Sequence, residues 1–577
     1  MDKFYKTNLK LVSQKNKNKI PSLKQFKYLS LFLNLKEKVF LRIFIVLIII
    51  CSGYFLIKGY QHIDSIPAYG GSYTEGIIGQ IQYLNPLLSL SNSVDTDINT
   101  LIYNSLFEYD KRVLTPSLVS SYTISDDQKT YTFKLKDNIY WHDGTKLTSD
   151  DVIFTMKTAQ DPNYKSPLFV TFKDVKATKI DDLDFSFTLA DVYSPFLNSL
   201  TFGILPKHIW QDISYTQFPL SEYNLKPIGT GPYKFKTLSK SKEGFIQSYT
   251  VESNNGYFKK KPYISEVTFK FLADTQEAID AIKDKKVNGI NFLNQNEIKS
   301  LNTKNININN FNLPQYTALF FNSSLNSLLK DTYIRKALTI GTDKDAIINN
   351  VFGGNAEKVE TIFFKNMIGY DPSFKDYDFN PSSAVDLLES NGWKRDPTTG
   401  IMANGDKKLE FTLTAVSNTD SQLVAEEIKK QWEKLGIKLN IQYTDQDSVK
   451  EDVLKPRNYE ILLYGEILGG SSDPFPFWHS SQIENPGLNL SLYNNKEVDQ
   501  AIEKARKTTN KDDIQDLYKF VQQKIKDDMP AIFLFNPNYN YITTKDAHIV
   551  NDKEITTPSE RFNNIQDWYI KTTKKIF

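Results

Sequence analysis

The sequence predicts an α/β protein of more than one domain, and two observations support this. The chain has 577 residues, which is more than a single hydrophobic core usually serves. Strand-like and helix-like apolar patterns alternate along most of its length, without low-complexity segments or an obvious internal repeat. We therefore expect sheets covered by helices, divided between at least two domains.

Two strands and a helix are predicted between residues 131 and 190. Apolar and polar residues alternate in YTFKLKDN at 131–138 and in DFSFTLA at 184–190, which is the period of half-buried strands. Between them, Thr148 precedes Asp151 by three residues in KLTSDDVIFTMK. That spacing lets the hydroxyl and the carboxylate satisfy the first turn of a helix, so we expect a helix to start there.

A β-α-β unit is predicted between residues 411 and 441. FTLTAV at 411–416 and IKLNI at 437–441 have the composition of strands. Between them, apolar residues recur at helical spacing, at Val424, Ile428, Trp432 and Leu435. Gly436 then ends the helix, because glycine readily adopts the backbone conformation that follows a last helical turn. Such a unit belongs to a sheet covered by helices.

The N-terminal region predicts a membrane anchor. VFLRIFIVLIIICSGYFLI at 39–57 is the most apolar stretch, and as a helix it would span about 29 Å, enough for the hydrocarbon core of a bilayer. The 38 residues before it contain ten Lys, two acidic residues and no Arg, a net charge of +8. Because basic flanks stay in the cytoplasm, we expect a cytoplasmic segment at 1–38, an uncleaved anchor at 39–57 and a linker at 58–67.

Three other interpretations of this stretch fit the sequence less well. A cleavable signal peptide normally has a short charged region, whereas 38 residues precede the apolar run here. A lipoprotein site at Cys51 would require a small residue before the cysteine, where the sequence has Ile50. A buried core helix is disfavoured by the flanking charges. Cys51 is the only cysteine, so no intrachain disulfide can form.

Charge and motif content argue against several classes of function. Subtracting the +8 of residues 1–38 from the formal +2 of the chain leaves −6 for residues 39–577, without the basic excess that a nucleic-acid surface needs. The sequence contains no P-loop, dinucleotide fingerprint or nucleophile elbow. It therefore predicts a protein that is not an enzyme, has no cofactor and has no nucleic-acid partner.

No metal site is predicted either. The five histidines show no metal-ligand spacing: His62, His142, His208, His479 and His548. Asp95, Asp97 and Asn99 imitate the first ligands of a calcium loop. However, the sixth and twelfth positions of that loop are Thr100 and Leu106, where a glycine and a glutamate are needed.

Six segments, taken in chain order, carry the motifs of one known family. They are GGSYTEGIIGQIQYLNPLL at 70–88, TLIYNSLFEYD at 100–110, YTFKLKDNIYWHDGTKLTSDDVIFTMK at 131–157, FGILPKHIW at 202–210, PIGTGPYKF at 227–235 and ALFFNSSLNSLLKDTYIRKAL at 318–338. Over most of residues 68–577 the chain resembles the family 5 extracellular solute-binding proteins, the oligopeptide- and dipeptide-binding components of ABC importers. Most of these motif residues are expected to be scaffold, because their glycines and prolines suit tight turns.

The resemblance implies a two-lobed periplasmic-binding-protein-like fold, with a small domain inserted in lobe one. Ligand would bind between the lobes and favour a closed form, which the importer would recognise. The implied boundaries are 68–107, 203–308 and 538–577 for lobe one, 108–202 for the inserted subdomain and 309–537 for lobe two.

One departure from the family concerns the ligand's charge. In peptide-binding members, the segment aligning near residues 464–478 carries an aspartate that pairs with the free amino group of the peptide. This chain has Gly469 and Gly470 at the nearest position. Either Asp473 or Glu466 supplies the charge from a shifted register, or the ligand has no amino group to pair.

Eight residues are candidate ligand contacts: Asn92 and Asp95 in lobe one, and Glu466, Gly469, Gly470, Ser471, Asp473 and Trp478 in lobe two. Adjacent glycines let a ligand approach backbone amides closely, and Trp478 could provide a flat apolar wall. The alternatives are a helix cap for Asn92 and Asp95, a flexible loop at 469–474 and a core position for Trp478.

The function expected from the resemblance is that of a membrane-anchored, extracytoplasmic substrate-binding protein of an ABC importer. Its partners would be a peptide, the permease and ATPase subunits, and the membrane through residues 39–57. Two alternatives stay open: the ligand is a non-peptide solute such as a glycan, or the chain is an orphan receptor that uses the same cleft.

Overall fold

The computed structural model of the chain describes residues 33–576 except 62, 292, 302, 447, 551 and 552. Of the predicted basic segment at 1–38, the first 32 residues lie outside this description. The α-helices are α1 Leu35–Gln61, α2 Ser93–Ile102, α3 Ser149–Gln160, α4 Phe169–Phe172, α5 Lys207–Trp210, α6 Thr275–Lys283, α7 Gln295–Lys299, α8 Thr332–Ile340, α9 Lys344–Phe352, α10 Pro381–Ser390, α11 Thr419–Lys434, α12 Phe475–Trp478, α13 Lys496–Arg506 and α14 Lys511–Asp528.

The strands form six sheets in the described residues. In chain order they are β1 Ile63–Pro67, β2 Ser72–Ile78, β3 Phe107–Asp110, β4 Val113–Pro116, β5 Val119–Ile124, β6 Thr130–Leu135, β7 Lys176–Lys179, β8 Asp184–Thr188, β9 Tyr233–Lys240, β10 Ile246–Ser253, β11 Glu266–Leu272, β12 Gly289–Asn291, β13 Ile306–Phe311, β14 Gln315–Phe321, β15 Ala356–Lys358, β16 Lys394–Arg395, β17 Met402–Asn404, β18 Lys407–Lys408, β19 Glu410–Val416, β20 Lys438–Thr444, β21 Ile461–Ile467, β22 Ala531–Pro537, β23 Tyr539–Thr544 and β24 Thr572–Ile576.

The chain divides into two compact units, residues 1–68 with 572–577 and residues 69–571. In the smaller unit, α1 contains the whole of the apolar run at 39–57, and β1 pairs with β24 in an antiparallel arrangement. Among the described residues, no helix combines the length and the apolar character needed to cross a membrane.

Within residues 69–571, one large sheet has seven strands in the order β13-β23-β12-β2-β11-β10-β9. Its centre is parallel, because β2 pairs in parallel with both β11 and β12. Tyr73 and Ile77 of β2 are buried in the core on this sheet. The part of the chain around this sheet is called lobe one below.

The second large sheet has six strands, β15-β22-β14-β21-β19-β20, and the chain around it is called lobe two. It contains the predicted β-α-β unit, since β19 and β20 are parallel neighbours that α11 connects. Ile428 and Trp432 of α11 are fully buried in the lobe-two core. Gly436 follows with a φ of +81°, the left-handed conformation that ends a helix. This part of the sequence prediction is confirmed.

A smaller sheet, β5-β6-β8-β7, is formed by chain that lies between β2 and β9 of lobe one. The two strands predicted from alternating residues are β6 and β8, which pair in an antiparallel arrangement and bury Phe133, Phe185 and Phe187. The predicted helix α3 begins after Thr148, whose backbone N–H donates to Asp151 Oδ2 at 2.9 Å. These three elements are therefore also confirmed.

The chain crosses between the two large sheets twice, once between β13 and β14 and once between β22 and β23. The two crossings lie side by side, because Asn536 Nδ2 donates to the carbonyl oxygen of Leu313 at 2.8 Å. Neighbouring crossings of this kind give a hinge between lobes. The exact lobe boundaries at 308/309 and 537/538 stay predictions of the sequence.

Candidate functional site

A cavity of about 710 Å³ is lined by both lobes. Its walls come from α2 and β3, from the chain around residues 198–203 and 556–563, and from Leu468, Gly470 and Ser471 of lobe two. Most of the polar lining consists of hydroxyl and amide side chains. Within the described part of the chain, no cluster of three or more His, Cys, Asp or Glu residues could hold a metal ion.

Helix α2 forms one wall, and its N-terminal end is fixed by its own side chains. Asn92 caps the helix, because its Oδ1 accepts hydrogen bonds from the backbone N–H of Val94 at 2.9 Å and of Asp95 at 3.3 Å. The carboxylate of Asp95 accepts from the backbone N–H of Gln82 at 2.9 Å and of Tyr83 at 2.8 Å. Two of the eight predicted ligand contacts, Asn92 and Asp95, therefore have partners within the chain.

The C-terminal end of α2 is fixed by two of the family motifs. The carbonyl oxygen of Ile102 accepts from Gly231 N–H at 2.8 Å, and a Cβ placed on Gly229 would lie 1.9 Å from the same oxygen. Gly229 N–H in turn donates to His142 Nδ1 at 3.2 Å. Burial lowers the pKa of His142 to about 4, so the ring is neutral at physiological pH and Nδ1 can accept. Only glycine allows this close approach to the helix end.

A buried ionic cluster fixes α2 to the C-terminal part of lobe one. Arg561 donates to Asp97 of α2 at 2.5 and 2.9 Å and to Glu75 of β2 at 3.1 Å. Tyr73 and Tyr541 donate their hydroxyls to Glu75 at 2.9 and 2.6 Å. Burial raises the pKa of Glu75, and Arg561 opposes that rise. The cluster therefore fixes the position of α2 in the cavity wall, which Asp97 also lines.

Two further carboxyl groups line the cavity. Glu108 pairs with Lys259 Nζ at 2.5 Å and accepts from the hydroxyl of Ser117 at 2.8 Å. Glu560 accepts from the backbone N–H of Thr556 at 2.7 Å and from the hydroxyl of the same residue. Burial raises the pKa of Glu560 to about 7. Glu560 is therefore close to half-protonated at neutral pH, and a nearby cation would favour its charged form.

The lobe-two candidates lie in different environments. Gly470 and Ser471 line the cavity. The carboxylate of Asp473 contacts Arg506 at 3.2 Å, and burial raises the pKa of Asp473 against the effect of that arginine. The indole of Trp478 is buried against Phe533 at 5.7 Å between ring centroids.

Glu466 is also buried, and its Oε2 accepts from the hydroxyl of Tyr316 at 2.7 Å. Burial raises the pKa of Glu466 to about 8, so the group is largely protonated at neutral pH. Gly469 has a φ of +70°. In the described residues, six of the eight candidates lie outside the cavity lining: Asn92, Asp95, Glu466, Gly469, Asp473 and Trp478. Their part in ligand binding stays a prediction.

Gly470 has a structural reason to be glycine. A Cβ at this position would lie 2.1 Å from Cζ of Tyr109, far inside van der Waals contact. Tyr109 belongs to β3, and its hydroxyl accepts from Asn198 Nδ2 at 2.8 Å. Its ring therefore occupies the space that a side chain at position 470 would need. Because Gly470 follows β21 of lobe two, this contact crosses the cleft.

Gly470→Ala should consequently disfavour the closed arrangement of the lobes. Overpacking of this kind costs about 1–3 kcal/mol, and the cost falls on the closed form alone. We expect a larger radius of gyration by small-angle X-ray scattering, and we expect Tyr109→Ala in the same chain to restore the original value. Gly465→Ala is the matched control, since its Cβ would lie 3.6 Å from Thr317 Oγ1. An unchanged radius of gyration for Gly470→Ala would contradict the contact between Gly470 and the Tyr109 ring across the cleft.

Several residues of the cavity wall were not predicted from the sequence, among them Asn99, Tyr109 and Glu560. For α2 a signal was present, because Ser93, Thr96 and Asn99 recur every three residues while apolar residues occupy the other face. For Tyr109 and Glu560 no local signal exists. They reach the cavity from segments more than 400 residues apart in the sequence.

Comparison with known proteins gives a consistent result. A model of the bacterial extracellular solute-binding proteins, family 5, middle part, matches residues 113–487. The oligopeptide-binding protein AppA of Bacillus subtilis is 29% identical over 513 residues, which cover 87% of this chain and 92% of that protein.

Solved structures agree with the observed fold. AppA from Bacillus subtilis in complex with a nonapeptide has a TM-score of 0.69 at 28% identity, covering 88% of this chain and 100% of that one. The ABC transporter substrate-binding protein CtaP of Listeria monocytogenes has a TM-score of 0.76 at 28% identity, covering 87% and 99%. The predicted two-lobed α/β fold is therefore confirmed.

Proposed function

The chain belongs to family 5 of the bacterial extracellular solute-binding proteins, and on that premise we propose that it binds a peptide between its lobes and delivers it to an ABC permease. Its relatives are solute-binding proteins of ABC importers, and the bulk of the chain is extracytoplasmic. Binding would occur without catalytic turnover. Attachment to a membrane through residues 39–57, with residues 1–38 in the cytoplasm, stays a prediction that rests on the sequence alone.

The observation that carries the proposal is the cavity lined by both lobes. Its volume of about 710 Å³ lies within the range of small-ligand sites. A ligand that contacts α2 on one side and Ser471 on the other has more contacts in the closed form than in the open form, so binding favours closure. The AppA protein of Bacillus subtilis was solved with a nonapeptide, which supports a peptide as the ligand class here.

The charge of the cavity supports a ligand with a free amino group. Asp473 and Glu466 contact Arg506 and Tyr316, respectively, and Glu108 is paired with Lys259. Glu560 is the lining carboxyl group whose partner in the chain is a neutral residue, Thr556. We assign Glu560 as the partner of the ligand's ammonium group, because a buried ammonium needs an anion.

Two measurements test this proposal. Mass spectrometry of molecules released from the purified protein should find peptides, and a synthetic copy should bind in calorimetric titration. Glu560→Gln should weaken the binding of that peptide about tenfold, or by about 1.4 kcal/mol, and should leave the binding of an N-acetylated copy unchanged. Thr557→Ala, which alters a neighbouring lining residue, is the control. Release of a neutral sugar without peptides would reject the proposal in favour of a glycan ligand.

A further inference from the structure

A cation–π contact joins the two lobes away from the cavity. Arg506 is the last residue of α13, and its Cζ lies 3.8 Å from the ring centroid of Phe475 in lobe two and 5.0 Å from that of Tyr193. Tyr193 precedes the 3₁₀ turn Ser194–Leu200, in the chain between β2 and β9, and packs on the core of lobe one. Within the described part of the chain, the cavity lining includes none of these three residues. One guanidinium is therefore shared between aromatic rings of both lobes.

Lobe two fixes the position of the guanidinium. Asp473 Oδ2 contacts Arg506 Nε at 3.2 Å, and Asp473 Oδ1 accepts from the backbone N–H of Phe475 at 3.1 Å. The hydroxyl of the neighbouring Ser472 accepts from the backbone N–H of Ile368 at 2.9 Å, which attaches this loop to lobe two. A cation at the last residue of a helix is also favoured by the helix dipole. Because these contacts all lie within lobe two, Arg506 keeps its position when the lobes separate.

Lobe one presents Tyr193 from an equally fixed segment. The carbonyl oxygen of Tyr193 accepts from the backbone N–H of Phe196 at 3.1 Å. The Phe196 ring is buried, 4.9 Å from the ring of Tyr131 in β6. Asn198 of the same turn lines the cavity and donates to the hydroxyl of Tyr109. The turn therefore connects the cation–π contact to the cavity wall of lobe one.

The contact between Tyr193 and Arg506 requires the lobes to be together. When the lobes separate, Arg506 retains Asp473 and Phe475, whereas the ring of Tyr193 loses the cation. A cation over an aromatic face is favoured more strongly where water is partly excluded, and the Arg506 side chain is 25% exposed. A contact made in one of two states shifts the equilibrium toward that state. We propose that Tyr193 and Arg506 form a latch that favours the closed form and slows the release of ligand without contacting it.

A latch away from the cavity differs from a ligand contact in its effect on selectivity. It adds the same free energy to the closed form whatever the cavity contains, so it strengthens the binding of every ligand by one common factor. A contact such as the one proposed for Glu560 instead distinguishes ligands by their chemistry. The latch goes beyond the proposed function and does not depend on the ligand being a peptide.

Tyr193→Leu removes the ring and leaves the pair of Asp473 and Arg506 in place. We expect this variant to bind a synthetic copy of the peptide released from wild type, and its N-acetylated form, about fivefold more weakly than wild type does. The dissociation rate, measured by displacement in a stopped-flow experiment, should rise by the same factor. The association rate should stay the same, because the latch forms after the ligand has entered. Tyr193→Phe, which keeps the ring, should recover most of the affinity.

Phe520→Leu is the matched control. Lys524 Nζ lies 5.4 Å from the ring centroid of Phe520, and both residues belong to α14 of lobe two. Since this cation–π contact lies within one lobe, its loss should leave both rates unchanged. In the Tyr193→Leu background, Arg506→Lys should weaken binding no further, because the two changes remove one contact.

Two results would overturn the latch. The first is unchanged affinity of Tyr193→Leu for both peptides, and the second is a loss confined to one of them, which would place residue 193 in contact with the ligand. If Tyr193→Leu fails to fold, Arg506→Lys alone takes its place, since it keeps the charge beside Asp473 but loses the planar guanidinium, and it should weaken both peptides by one factor. If wild type releases a sugar, the proposed peptide ligand fails, whereas the same titrations with that sugar still test the latch.

Discussion

Arg561→Met should lower the free energy of unfolding by about 3–5 kcal/mol, the usual loss when one partner of a buried ion pair is removed. The guanidinium is fully buried and neutralises two carboxylates, those of Asp97 and Glu75. Burial alone would lower the pKa of Arg561, but its acidic partners raise it well above the usual value. Without the arginine, both carboxylates must take up protons or remain buried with unpaired charge. Chemical denaturation at neutral pH measures the loss.

Lys226→Met is the matched control for this prediction. Lys226 pairs with Glu222 at 2.8 Å, and both side chains are more than half exposed to solvent. Exposed pairs contribute about 0–1 kcal/mol, so this variant should unfold almost as wild type does. If Arg561→Met and Lys226→Met lost comparable free energies of unfolding, the buried cluster would contribute no more than a surface pair.

Glu466→Gln should stabilise the protein at alkaline pH. Burial raises the pKa of Glu466 to about 8, an effect that Tyr316 and Arg457 only partly oppose. In the unfolded chain the pKa of a glutamate is about 4.3. Between these values the folded form carries a proton that the unfolded form has lost, so wild-type stability falls as the pH rises through this range. Glutamine is neutral throughout and avoids that loss.

The expected difference can be measured as a function of pH. Near pH 4 the variant and wild type should be about equally stable, and near pH 9 the variant should be more stable by on the order of 3–5 kcal/mol. The difference should level off above about pH 8, where the folded carboxyl has ionised. Glu484→Gln, at an exposed position, should show no such dependence. A difference that does not change with pH would contradict the raised pKa.

Most of the local elements could be predicted because their signals are short in range. The alternation in β6 and β8 and the spacing of apolar residues in α11 follow from which side of one element faces a core. The start of α3 follows from two side chains three residues apart. The two-lobed arrangement came from the six motifs together, since no single segment specifies how sheets are divided between lobes.

The candidate site was less predictable, because its side chains meet through contacts between distant segments and not through short-range signals. The sequence predicts Glu466 and Asp473 as ligand contacts because they are the carboxylates nearest to Gly470 along the chain. Their partners in the fold are Tyr316 and Arg506, which belong to β14 and α13. Proximity in sequence gave no information about these partners, because side chains a few residues apart in a strand or loop point in different directions.

Helix α2 illustrates both what the sequence determined and what only the tertiary structure decided. The sequence alone determined that Asp95, Asp97 and Asn99 are polar, evenly spaced and unsuited to a calcium loop. Asp97 is separated from each of the other two by about 200° around the helix axis, whereas Asp95 and Asn99, four residues apart, differ by only about 40°. The tertiary structure decided what surrounds each of them: Asp95 binds a neighbouring loop, Asp97 binds the arginine 464 residues later in the chain, and Asp97 and Asn99 both line the cavity. Helical geometry is local and can be inferred from sequence, whereas the groups that surround each side chain come from distant segments and exist only once the lobe has folded.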